Sequence, residues 1–278
     1  MRPAEVVARA ARYLEAHGVE GARETAEALL LHLLGTDRAG LYARSEGLDS
    51  ATARAYGRAL CQRCAGTPLQ HLTGRQPFRG LNLEVQPGVF VPRPETEVLV
   101  TAALQVLVGV GRPVVVDVGT GTGAIGLAIK KAARNATLHL IDVSPASVQL
   151  AQRNADRHRM VVNLYVGDLL DPLPPELRGT VDLIVSNPPY ITPEEYQELP
   201  DVVRADPYEA LVGGTDVHAR LAAEAPKWLR PGGWLVVEIG ASQSSKVSLI
   251  LRRTLEEVQV IEDLARRPRV VLGRLRGG

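Results

Sequence analysis

The chain has 278 residues, too many for one small domain and suited to a medium domain with a smaller one attached. Hydrophobic residues make up 45% and charged residues 23%, which excludes a disordered or fibrous chain. The formal net charge of +1 announces no nucleic-acid partner, although a local basic face is compatible with it.

The opening Met1-Arg2-Pro3-Ala4-Glu5 leads into charged residues every few positions, with neither a signal-peptide core nor an 18-residue apolar run. A cytoplasmic location and no membrane partner are expected. Residues 1–74 hold no strand-like run. Apolar residues recur there at helical spacing, as in Val6, Ala10, Tyr13 and Leu14, then Ala26, Leu29, Leu30, Leu33 and Leu34. This predicts a small all-helical domain punctuated by Gly18, Gly21, Gly35 and Gly40. Asp49 or Ser50 is the expected N-cap of the helix carrying Cys61 and Cys64. With no second cysteine pair and no histidine cluster, that CxxC reads as helix packing and no metal is expected.

Over 75–92 the pattern changes to alternation: Leu81, Leu83 and Val85, then Pro87-Gly88, then Val89, Phe90 and Val91. This predicts a β-hairpin connecting two domains, the second spanning 93–278. Strands are expected at 113–118, 137–142, 161–166, 181–186, 233–239, 257–263 and 269–275. Helices are expected at 122–133, 144–157, 216–229 and 242–253. Such alternation predicts an α/β fold, a parallel sheet with helices on both faces. The arginine-rich stretch from Arg252 to Arg276 reads as a solvated face.

The apolar run Val114-Val115-Val116-Asp117-Val118 ends in Gly119-Thr120-Gly121-Thr122-Gly123, a glycine loop that opens a helix. Gly121 to Gly126 also satisfies GxGxxG, so the glycines alone fit either a nicotinamide dinucleotide or a methyl donor. Asp117 favours the second, because a carboxylate there repels a pyrophosphate and suits the cationic amino acid end of S-adenosylmethionine. Asp142 ends the second strand, where it can accept hydrogen bonds from ribose hydroxyls. Asp168 follows the third and can face an adenine amino group, with Leu169 as backbone and apolar wall. Each aspartate alone also reads as a cap or turn residue; three at consecutive strand ends read as one site. The sheet is therefore expected to be Rossmann-like, of the class I S-adenosylmethionine-dependent methyltransferase kind.

After the fourth strand comes Ser186-Asn187-Pro188-Pro189-Tyr190-Ile191. The two prolines stiffen the loop and remove donors from it. The Asn187 side-chain oxygen and the Pro188 carbonyl can each accept one hydrogen of a planar NH2 group, while Tyr190 lies against its flat face. The nitrogen lone pair is then aimed at the sulfonium methyl. The chemistry expected is methylation of an amide or exocyclic amino nitrogen.

With these residues in place the chain resembles the HemK/PrmC family of protein-(glutamine-N5) methyltransferases over essentially its whole length. Pro68-Leu69-Gln70-His71-Leu72-Thr73-Gly74 resembles the family's segment closing the helical domain. Phe90-Val91-Pro92-Arg93-Pro94-Glu95-Thr96-Glu97 resembles its entry signature, the most family-specific match. Asp206-Pro207-Tyr208-Glu209-Ala210-Leu211 with Gly213-Gly214 resembles a further family segment. Leu169 departs from the aromatic residue that some members carry.

The resemblance implies methylation of the glutamine in the Gly-Gly-Gln loop of class 1 peptide chain release factors, with S-adenosylmethionine as donor. It implies that the helical domain helps dock the release factor, and that no direct nucleic-acid contact is made. It also implies Phe90 as a wall of the glutamine pocket, and Arg93 as either an orienting residue or a structural tie. The competing reading is an adenine-N6 DNA or RNA methyltransferase, which faces the same hydrogen-bonding problem. Near-neutral charge and the lack of a target-recognition domain stand against it. A nicotinamide oxidoreductase and a non-catalytic RNA-binding module are the more distant alternatives.

Overall fold

The computed structural model describes residues 2–277. The chain divides into two compact units, 1–75 with 200–205, and 76–199 with 206–278.

The first unit is helical: α1 (Pro3–Ala16), α2 (Ala22–Leu34), α3 (Arg38–Ala43), α4 (Ser50–Cys64) and α5 (Leu69–Thr73). Val7, Leu14, Leu29, Leu30, Leu41 and Tyr56 form its buried centre. Asp49 caps α4, its carboxylate accepting from the main-chain N–H groups of Ala51 and Thr52 at 2.9 Å. Cys61 is exposed and Cys64 half-buried, packed against the helical core.

The second unit opens with a two-stranded hairpin, β1 (Arg75–Phe78) and β2 (Leu81–Glu84). The turn lies at Arg79-Gly80, both at positive φ, and not at Pro87-Gly88; Val89 to Val91 form no strand. The alternation of Leu81, Leu83 and Val85 marks one strand correctly, but its partner precedes it. A short 3-10 turn (Pro94–Thr96) then leads into α6 (Glu97–Val106), a helix missing from the expected elements. Glu97, Thr101 and Gln105 recur in it every fourth residue as a narrow polar stripe, while Leu99, Val100, Ala102 and Ala103 are buried.

Next come β3 (Val114–Val118), α7 (Ala124–Ala132), β4 (Thr137–Asp142), α8 (Pro145–Arg157), β5 (Asn163–Val166) and β6 (Val181–Ser186). Short helices follow, α9 (Pro193–Gln197), α10 (Asp201–Arg204, grouped with the first unit) and α11 (Tyr208–Leu211). Then come α12 (Asp216–Trp228), β7 (Leu229–Glu238), α13 (Ser244–Leu251), β8 (Glu256–Glu262) and β9 (Pro268–Arg274).

The sheet order is β5-β4-β3-β6-β7-β9-β8. The first five strands are parallel, but β9 runs antiparallel to both β7 and β8, so the sheet is mixed and not wholly parallel. The reason is connection length. Only Asp263 to Arg267 join β8 to β9, with the Asp263 carboxylate accepting from the Ala265 and Arg267 N–H groups, and so short a link permits only an antiparallel pair.

Helices α6, α7 and α8 cover one face through Leu99, Ala103, Leu127, Ile129 and Ala151. Helices α12 and α13 cover the other through Leu221, Ala225, Trp228, Val247 and Leu251. Both faces buried is what keeps Val181 to Ser186 apolar almost throughout. Strand order reverses between β3 and β6, and a crevice opens there beyond the carboxyl ends of the strands.

Candidate active site

That crevice holds a cavity of about 510 Å3, lined by residues of the second unit alone. Its size suits a ligand of nucleoside dimensions. One end is the glycine loop with Asp142, Val143, Asp168 and Leu169, and the other is Phe90, Asn187, Pro188, Pro189, Tyr190 and Leu211. The structure thus brings together Phe90, Gly119, Thr120, Gly121, Thr122, Asp142, Asp168, Leu169 and the Asn187 to Tyr190 loop. Asp117 and Gly123 stand behind the wall.

Asp117 is fully buried. Its Oδ2 accepts from the Thr120 hydroxyl at 2.7 Å and from the Gly126 N–H at 3.0 Å, so it braces the glycine loop from beneath. Burial pushes its carboxyl up to about 6 against those hydrogen bonds. Its Oδ2 thus turns into the loop on the α7 side of β3, while its Oδ1 is buried without a hydrogen-bond partner, behind the wall where the sequence places the cationic amino acid end of the donor. Gly123 is the N-cap of α7 and also lies outside the cavity.

Gly119 and Gly121 have φ of +70° and +54°, and a Cβ at either would meet no protein atom within 4 Å. The space that side chains would fill is thus left to a ligand. Asp142 accepts from the Gly121 N–H and the Ser144 N–H, each at 2.9 Å, and burial pushes its carboxyl upward. The Ser147 side chain is a third partner, so of the carboxylate's roughly four acceptor positions one remains for a ribose hydroxyl. Asp168 is half-exposed and pairs with Arg220 at 2.6 Å. Leu169 adopts φ +46°, uncommon for a non-glycine residue, with its side chain in the core.

No lysine, arginine or histidine lines the cavity, whereas the carboxylates Asp142, Asp168 and Glu209 do. A pyrophosphate would find no counter-charge here, and a cationic sulfonium meets the matching sign. The site fits S-adenosylmethionine and not a dinucleotide.

At the other end the Asn187 amide is oriented by its Nδ2, which donates to the Thr96 hydroxyl oxygen at 3.3 Å. Its Oδ1 is thereby left as the acceptor. The loop is held by partners remote in sequence. Gln243 Nε2 donates to the Tyr190 carbonyl at 2.7 Å, and the Tyr190 hydroxyl donates to Glu238 Oε1 at 3.4 Å. The Ile191 N–H donates to the Leu211 carbonyl at 2.9 Å. A Cβ on Gly213 would stand 2.5 Å from the Pro189 carbonyl oxygen, so only glycine permits this approach. Arg93 lies 5.5 Å over the Phe90 ring and pairs with buried Asp206, which also accepts from the Val91 N–H at 3.2 Å. Arg93 itself is off the cavity wall and holds Phe90 in it.

Sequence reasoning missed Thr96, Gln243 and Glu238 as site supports, and Asn154. Buried Asn154 donates to the Thr122 carbonyl at 2.9 Å and exchanges hydrogen bonds with the Glu84 backbone, tying β2 to the glycine loop. A readable signal existed for Glu238, an acid ending the apolar strand Leu235-Val236-Val237, as Asp117 and Asp142 end theirs.

Two family models match the chain, one to each of its parts. The methyltransferase small domain model matches residues 81–266, and the PrmC N-terminal domain model matches 5–74. The release factor glutamine methyltransferase of Koribacter versatilis is 39% identical over 95% of this chain and 95% of its own length. The chain belongs to the release factor glutamine methyltransferase family. The family's enzyme from Geobacter sulfurreducens is 40% identical, covering 87% of this chain and 85% of its own. Among solved structures, a T. thermophilus 16S rRNA N2 G1207 methyltransferase in complex with AdoMet and guanosine shares the fold. It has a TM-score of 0.55 at 22% identity, over 73% of this chain and 50% of that one. Among the described residues no helix is long and apolar enough to cross a membrane.

Proposed function

We propose that this chain methylates the side-chain amide nitrogen of the glutamine in the Gly-Gly-Gln loop of class 1 peptide chain release factors, and so modulates translation termination. The observation that carries this reading is the Asn187 amide, fixed by Thr96 so that its oxygen is the acceptor, at one end of a cavity lined by carboxylates and by no basic side chain.

Asn187 Oδ1 and the Pro188 carbonyl each accept one hydrogen of the glutamine NH2, while Phe90 and Tyr190 flank its plane. An amide nitrogen is a poor nucleophile because its lone pair is delocalised. Holding both hydrogens from one side favours the tetrahedral nitrogen of the transition state over the planar ground state. S-adenosylmethionine supplies an electrophilic methyl, which passes from sulfur to nitrogen as the sulfur takes the bonding pair; the amide proton leaves to solvent afterwards. Asp142 would hold the donor's ribose and Asp168 and Leu169 its adenine, with Gly119 and Gly121 leaving room for its chain. Gly123 caps the helix that begins there, and Asp117 braces the loop.

An adenine-N6 target is less well served, because the cavity offers no cation for a nucleic-acid backbone. The test is mass spectrometry of an unmethylated release factor after incubation with the protein and S-adenosylmethionine. One methyl on the Gly-Gly-Gln glutamine is expected. Methyl on nucleic acid instead would transfer the assignment to the base methyltransferase reading.

A further inference from the structure

Helix α11 returns the chain to the Asn187 to Tyr190 loop. The Ile191 N–H donates to its Leu211 carbonyl at 2.9 Å, and just beyond it the Gly213 N–H donates back to the Ile191 carbonyl at 3.1 Å. Before the helix, Asp206 is held by Arg93 and by the Val91 N–H. On its flank the Tyr208 ring meets Tyr196 of α9 edge-on, with 4.9 Å between centroids. A helix of 4 residues does not hold itself, so these contacts fix where it stands. Pro207, Glu209, Ala210 and Leu211 are thereby set into the cavity wall at the target end.

Glu209 differs from the other two carboxylates of that wall. Asp142 accepts from the Gly121 and Ser144 N–H groups, and Asp168 pairs with Arg220. The Glu209 side chain is exposed and, among the described residues, has no hydrogen-bond or ion-pair partner. Water satisfies such a group while the mouth is open. A protein loop entering the cavity displaces that water, and a carboxylate then left without a partner is costly. A loop with a basic side chain beside its target residue removes the cost, whereas one with an acidic side chain there adds repulsion to it.

We propose that Glu209 is a specificity-determining residue that selects glutamine loops carrying a basic side chain within about three residues of the target glutamine, the span that an extended chain and a long side chain can cover. The inference deepens the glutamine-methylation reading and rests on it. Glu209 takes no part in the transfer step, where the amide is oriented by Asn187 and the Pro188 carbonyl. Its effect therefore falls on target binding and not on the rate at saturation.

The experiment measures methylation of an unmethylated full-length release factor, at saturating S-adenosylmethionine and low salt, by wild type, Glu209→Gln and Glu209→Lys. KM for the release factor should rise about threefold to fivefold in Glu209→Gln and about tenfold in Glu209→Lys, the scale of one partly exposed ion pair, with kcat changed far less. High salt should erase most of the difference. Each Lys, Arg or His of the release factor within that span of the glutamine is then replaced singly by Gln. At one position the replacement should raise KM for wild type and leave KM for Glu209→Gln unmoved, and Glu at that position should restore Glu209→Lys.

An unchanged KM in Glu209→Lys would overturn the proposal. So would a KM that rises in Glu209→Gln but couples to no basic side chain, since main-chain N–H groups of the loop would then be the partner. Weaker donor binding by Glu209→Gln in calorimetry would give Glu209 to the donor's ammonium group, and would overturn it equally. If Glu209→Lys does not fold, the coupling measured with Glu209→Gln decides alone. A release factor left unmethylated by wild type would sink the glutamine reading itself. Equilibrium binding of that release factor needs no turnover and still judges Glu209: equal affinity for wild type and Glu209→Gln at low salt would remove its role, and weaker binding by Glu209→Gln would keep it.

Discussion

The two ends of the cavity are built differently. The glycine-loop end is held largely by neighbours in sequence, with Asp117 bracing Thr120 and Gly126, and Asp142 holding Ser144 and Gly121 within 21 residues. The Asn187 to Tyr190 end is held by Thr96 from 91 residues away, Glu238 from 48 and Gln243 from 53. Donor binding therefore rests on a local motif, and target orientation on tertiary structure. The two should fail separately.

The sharpest break is Asn187→Ala. Removing an acceptor that acts mainly in the transition state should lower kcat by roughly 100-fold or more while leaving donor affinity intact. Calorimetric donor titration beside single-turnover kinetics checks this, and a parallel loss of both would erase the distinction.

A stability prediction follows from the buried acids behind each end. Asp117 and Glu238 have folded pKa values raised to about 6 and about 7, above their unfolded values. The stability tied to their neutral forms is complete below about pH 4 and is lost as pH rises through 6 to 7. Urea midpoints should therefore fall from pH 5 to pH 8, with Glu238 alone accounting for a loss on the order of 3 kcal/mol. Glu238→Gln should flatten the fall. A midpoint that climbs over this window would show that these groups are not buried as described.

At the donor end, Asp142→Ala should weaken S-adenosylmethionine binding by about 1–3 kcal/mol, the scale of a lost hydrogen bond to a charged group. Its kcat at saturating donor should fall far less than that of Asn187→Ala, and an unchanged dissociation constant would remove Asp142 from the donor site. The smallest effect is expected for Arg220→Ala. Its pair with Asp168 is half-exposed, so donor affinity should change by less than about 1 kcal/mol, and less still at high salt.

The same contrast explains what could be read from the sequence. The glycine loop, the strand-end acids Asp142 and Asp168 and the Asn-Pro-Pro-Tyr loop announce themselves because each function sits in a few adjacent residues. Asp117 was visible, but its direction was not; only the paired positions of Thr120 and Gly126 turn its carboxylate inward. Thr96, Gln243 and Asn154 carry no local signal, since their roles arise from contacts closed across the fold. Helix α6 was legible in principle, from Glu97, Thr101 and Gln105 recurring every fourth residue among apolar ones, and the hairpin was displaced because Pro87-Gly88 is a stronger turn signal than Arg79-Gly80. The antiparallel β9 was legible in principle, from the shortness of its link to β8.

A crystal structure of the protein with S-adenosylhomocysteine and a Gly-Gly-Gln peptide tests the role of Asn187 most directly. The glutamine amide nitrogen should lie within about 3.2 Å of both Asn187 Oδ1 and the Pro188 carbonyl oxygen, with Asn187 Nδ2 still on Thr96. A glutamine amide bound elsewhere, or an Asn187 released from Thr96 with its NH2 group turned to the substrate, would contradict it.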